Sequence, residues 1–139
     1  MIKLLGILII VLAIAIIIIP QFNNCAYAGK SLNLTSGKTV PMKCLWTARG
    51  EIVAGIPLVA IGVLMLVSRR KESLRNLSIL GIILGILVTL LPTRIIGVCQ
   101  SGMNCNIVMR PAMLALGAVV AAASLVSLIL SLRGKENTT

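Results

Sequence analysis

The residues of this chain best suited by type and spacing to chemistry are four cysteines, Cys25, Cys44, Cys99 and Cys105, and one glutamate, Glu51. Paired thiols can exchange with other disulfides, ligate a soft metal, or brace a loop. Exchange is usually carried by a Cys-x-x-Cys pair, where proximity and a helix N-terminus activate one thiol. Here the closest pair, Cys99 and Cys105 in GVCQSGMNCN, has five residues between its members. Met42, Cys44, Met103, Cys105 and Met109 supply sulfur suited to Cu(I), but no Met-x-x-Met repeat occurs and oxidised cysteines cannot ligate. With no histidine and no aspartate, Ser-His-Asp and Cys-His nucleophiles are excluded, as are zinc sites built on imidazole and carboxylate. No nucleotide or quinone motif is present, and no cofactor is expected. The residues favour a brace, with exchange and soft-metal handling as the alternatives.

Which of these chemistries is open depends on the compartment, and composition leads there. Of 139 residues, 58% are hydrophobic and only three are acidic, with a mean hydropathy of +1.09. That balance belongs to a chain whose main solvent is the bilayer. The net charge of +10 comes from thirteen Lys and Arg scattered over the connections. No basic helix face with interleaved aromatics exists, so nucleic acid is rejected as a partner. Basic residues beside apolar runs suit anionic headgroups instead.

Four apolar runs predict an all-α membrane protein, a single domain over residues 1–139. The helices are expected at about 3–20, 47–68, 76–93 and 108–132, with loops at 21–46 and 94–107. The first run ends at Pro20. Because Ala26-Tyr27-Ala28 is a small-x-small pattern ahead of Gly29, cleavage of this segment as a signal peptide is the alternative to a retained helix. The second run opens at Thr47, read as an N-cap, which places Glu51 in the first turn against the helix dipole. The third meets Pro92, and the fourth starts near Pro111. In the first long loop, SLNLTSGKTVPMKC alternates about Ser36 and Gly37, predicting a short β-hairpin that delivers Cys44 and Trp46 to the second helix.

The link RRKESLRN, with Arg69, Arg70, Lys71 and Arg75, is the strongest orientation signal and is expected in the cytoplasm, together with both termini. Lys30, Lys38, Lys43, Arg49, Arg94 and Arg110 then lie outside, so charge alone barely decides. All four cysteines fall on that same side, which fits an oxidising, extracytoplasmic compartment. Four cysteines allow three connectivities. Cys25 to Cys44 and Cys99 to Cys105 are preferred because each closes a segment held by adjacent helices, with a cross-loop pattern as the rival.

Glu51 is expected to pair across the outer face with Arg94 or Arg110; a single titrating group in a proton or ion pathway is the alternative. Gly81 and Gly85 on the third helix, and Gly117 and Ala121 on the fourth, are spaced for close backbone approach. Packing inside the bundle is the favoured use, docking of another membrane subunit the alternative.

The stretches PMKCLWTARGEI and LLPTRIIGVCQSGMNCNIVMRPAMLALG resemble a family of small prokaryotic membrane proteins known as domain of unknown function 4418. The resemblance covers about residues 41–118. It rests on the MKC of Met42 to Cys44, Pro92, the GVC of Gly97 to Cys99, and CN-x-VMRPA from Cys105 to Ala112. Leu45 stands where the family pattern often has histidine, which weighs against a metal or redox role for this chain. Similar proteins often occur beside MacB-like and FtsX-like transporter permeases, and the resemblance therefore implies an accessory subunit. The expectation is a non-enzymatic accessory or scaffold subunit whose partners are the lipid bilayer and another membrane subunit or a second copy of itself. A thiol-disulfide oxidoreductase is the runner-up and a copper-handling protein the third reading.

Overall fold

The computed structural model describes residues 1–24, 29, 32–40, 43–98 and 105–133. Four long helices dominate them: α1 (Ile2–Phe22), α2 (Lys43–Val67), α3 (Lys71–Leu90) and α4 (Arg110–Arg133). A π-helical turn, Leu91–Ile95, continues α3, and another, Cys105–Met109, leads into α4. Each of the four spans is long and apolar enough to cross a bilayer. The chain is thus a multi-pass membrane protein.

The helix ends differ from the sequence expectation for local reasons. Pro20 does not stop α1, which runs to Phe22; Asn23 Nδ2 then donates to the Ile19 carbonyl at 2.9 Å, filling one acceptor that the helix end leaves open. Thr47 is not an N-cap. The second helix begins four residues earlier, at Lys43. The third starts at Lys71 rather than near 76, so most of the basic link is its first turns, with Glu72 favourably placed there against the dipole. At Pro92 the missing N–H interrupts the α-helical ladder, and the chain widens: Ile96 N and Gly97 N both donate to Leu91 O, at 3.1 and 3.2 Å. Gly97 then adopts a φ of 78°, which ends the helix.

The helices run up and down in chain order. Two hairpins, α1 with α2 and α3 with α4, pack most closely, and the contacts between hairpins are sparser. Small residues make both close approaches possible. A Cβ on Gly62 would sit 3.1 Å from the Gly6 carbonyl oxygen; one on Gly85 would sit 2.9 Å from the backbone nitrogen of Ala121; and one on Gly117 would sit 2.8 Å from the Gly85 carbonyl oxygen. Gly81 lies against Ser124. The four small residues singled out on α3 and α4 are therefore used inside the bundle.

The central core joins all four helices through Ile16, Ala48, Leu58, Val88, Met113 and Val120, among others. A second cluster, including Ile9, Ile61, Met65 and Leu74, fills the end near the Ser68–Arg70 link. Exposed Val11, Val53, Ile56, Ile83 and Val119 face outward, as lipid contact requires. The expected hairpin is present as a two-residue antiparallel ladder, β1 (Leu32–Asn33) with β2 (Thr39–Val40), pairing Leu32 with Val40 and Asn33 with Thr39. Gly37, at a φ of 78°, makes its turn.

Candidate functional site at the cysteine end

The bundle has two ends. One carries the short basic link and is called here the arginine end; the other, called the cysteine end, carries the hairpin, both π turns and Cys44. At the cysteine end, α2 presents Cys44, Thr47, Ala48, Glu51, Ala54, Gly55 and Leu58 to the interior, the three-and-four spacing of one helix face. Cys44 is fully buried and disulfide-bonded. Cys25 and Cys99 lie outside the described residues, as does the Cys105 side chain, and the expected pairings fall there with them. Trp46 and Arg49, one turn apart on the outer surface, stack with the guanidinium carbon 5.4 Å from the ring centroid. That cation–π pair sits where an indole suits the headgroup region.

One turn inward, the Thr47 hydroxyl donates to the Gly97 carbonyl at 2.7 Å. This bond ties α2 to the end of the first π turn across fifty positions of chain. Gly50 packs closely against the same turn, since a Cβ there would come within 3.2 Å of the Leu91 side chain, tighter than an ordinary van der Waals contact. Pro20, Leu91, Pro92 and Met109 are buried. The second π turn carries Met109 into the central core beside Met113.

A further turn inward lies Glu51, 0% exposed, with neither carboxyl oxygen hydrogen-bonded. The expected pair with Arg94 or Arg110 is not formed: both arginines are exposed. The reason is the early start of α2. Glu51 stands in the third turn instead of the first, facing the core rather than the rim. It is equally too deep to neutralise the helix N-terminus, because that effect fades within the first turn.

Sequence reasoning also passed over a polar row in the arginine half. Ser124, Ser127 and Ser131 of α4 and Ser78 of α3 are buried. The Ser78 hydroxyl lies 2.8 Å from Leu74 O and 3.0 Å from Ser127 Oγ, and Ser131 donates to Leu128 O at 2.7 Å. Only Ser124 Oγ, against Gly81, has no partner. The spacing in SLVSLILS was the available signal, since i, i+3, i+7 is one helix face.

The motif stretches read from the sequence thus meet in space. Lys43 and Cys44 open α2, Pro92 lies in the first π turn, Gly97 follows it, and Cys105 to Ala112 form the second π turn and the head of α4. Among the described residues no group of three or more His, Cys, Asp or Glu could hold a metal ion. No curated protein and no solved structure matches the chain. A family model does, over residues 4–130, so the likeness includes the first helix and the hairpin as well as the motif region. The chain belongs to the family described as a domain of unknown function, DUF4418.

Proposed function

We propose that this protein is a non-enzymatic accessory or scaffold subunit of a membrane complex, working through the cysteine end of its bundle. The observation that carries this reading is the convergence of motif stretches from α2, both π turns and α4 on that one end, around a tie between Thr47 and Gly97. The small-residue faces of α3 and α4 are occupied by each other and give the partner no docking stripe. Its contact surface is instead the rim that carries Trp46, Ile95 and Ile107, all more than half exposed. The natural partner class, suggested by the family resemblance, is a transporter permease of the MacB or FtsX kind, with a second copy of this chain as the other possibility. The cysteine end faces outward and both termini face the cytoplasm, a sidedness supported by the basic link and by an oxidised cysteine. A fully buried half-cystine is poorly placed to meet a partner's thiolate, which favours a brace over exchange.

Native mass spectrometry of the protein, extracted gently from its own membranes without reductant, tests this. A mass containing a larger membrane protein, with all four cysteines oxidised, is expected. A lone chain with free thiols or bound copper would overturn it.

A further inference from the structure

We propose that Glu51 is a proton-binding site inside the membrane, in exchange with the water at the cysteine end of the bundle. The inference goes beyond a structural role in a complex and stands without it. Glu51 is fully buried within a membrane-spanning helix, and neither of its oxygens meets a donor. An uncompensated charge there would carry a large desolvation penalty with no partner to offset it. Among the described residues, the ionisable groups on the surrounding elements do not supply compensation. Lys43 and Arg49 on α2, Arg94 on the first π turn and Arg110 at the head of α4 are all exposed, the described part of α1 at this end carries no ionisable side chain, and Cys44 is oxidised. A proton is the one cation that fits without other ligands and without opening the bundle.

The direction of exchange follows from the two sides of Glu51 on its own helix face. Toward the cysteine end, one turn away, stands the Thr47 hydroxyl with the Gly97 carbonyl. Toward the arginine end the same face continues as Ala54 and Leu58, in one cluster with Ile16, Val88 and Val120, and Gly55, which lies against Ile17. On this face of α2, among the described residues, the hydroxyl nearest to Glu51 is that of Thr47, on the cysteine side, whereas Ala54, Gly55 and Leu58 on the other side offer no side-chain polar group.

The chain has three glutamates and no aspartate, so 13C labelling of glutamate side-chain carboxyls in the full protein in lipid bilayers gives three side-chain signals. Exposed Glu72 is the internal reference. Glu51→Gln assigns the signal, and Glu72→Gln with Glu136→Gln assigns it by elimination if Glu51→Gln does not fold. The Glu51 signal is expected to move between its acid and carboxylate positions as the pH of the water at the cysteine end changes. Thr47→Val is expected to slow the exchange several-fold and leave both end positions in place. A Glu51 signal fixed in one form across the pH range in which the fold persists would overturn the proposal. A shift on exchanging sodium for potassium at constant pH would assign the site to a metal ion instead, and an unchanged rate in Thr47→Val would overturn the route.

Discussion

The two halves of the bundle bury polar side chains in opposite ways. In the arginine half, Ser78 and Ser131 bond to carbonyls of their own helices and Ser78 reaches Ser127 across the α3–α4 seam. Such bonds glue helices in lipid and ask nothing of a partner. In the cysteine half, neither carboxyl oxygen of buried Glu51 is hydrogen-bonded, and two π turns and a tie from Thr47 to Gly97 lie at the same end. Irregular backbone and an orphan acid both cost stability, and π turns often mark functional positions. The difference separates a half whose buried serines, Ser124 apart, bond within the bundle from a half with irregular backbone and an unpaired acid.

Substitutions can break or sharpen that contrast. The largest effect is expected from Cys44→Ala, which removes a buried bridge at the cysteine end. A loss of about 2–4 kcal/mol is the usual scale for a disulfide, and steric-trapping measurements of unfolding in bicelles would read it. Reductant should match or exceed that loss in the parent protein and have a smaller effect on the variant, which keeps the second expected bridge. If the cysteine half were held by packing alone, both would have little effect.

Gly85→Val attacks the other half. Its side chain would be driven into the Ala121 backbone and the Gly117 carbonyl, which cannot yield as a flexible side chain would. Overpacking of this kind typically costs about 1–3 kcal/mol. The same assay should show α3 and α4 separating, with greater protease access to the α3–α4 region. Exposed Ile83→Val, two residues away, should be neutral.

Glu51→Leu should run in the other direction. Replacing an unsatisfied buried polar group with an apolar one of similar length removes a penalty of about 1–3 kcal/mol, so the variant should be more stable than the parent. A loss of stability would mean that Glu51 has a structural partner, and the contrast between the halves would fail.

The smallest effect belongs to the serines. A double-mutant cycle of Ser78→Ala and Ser127→Ala should give a coupling near 0.6 kcal/mol, the average for hydrogen bonds between membrane helices. Zero coupling would reduce the arginine half to packing.

The four spans were legible because apolar runs of this length have few other uses, and the hairpin was legible from alternation around Ser36 and Gly37. Thr47 was misread for a physical reason. A threonine before an apolar run is a good N-cap by local rules, but here its hydroxyl is spent on a carbonyl fifty residues away, which local rules cannot see. The misplacement of Glu51 in the first turn, and its expected pairing with Arg94 or Arg110, followed from that one error. The π turn at Pro92 could be anticipated from the missing N–H, whereas the turn before α4 has no such mark. The serine row was legible and passed over, because each serine taken singly is unremarkable in an apolar helix.

The contrast between the halves, and the assignment of the working surface to one of them, meets its most direct test in site-specific photo-crosslinking in native membranes. A photoreactive residue would be placed at exposed Trp46 and Ile107 of the cysteine end, and at exposed Val67 and Leu132 of the arginine end. Crosslinks from the first pair to one discrete membrane protein, either a permease or a second copy of this chain, with lipid adducts alone from the second pair, are the predicted result. Protein crosslinks confined to Val67 and Leu132 would contradict it, because the partner would then be held by the arginine end and not by the rim of Trp46 and Ile107.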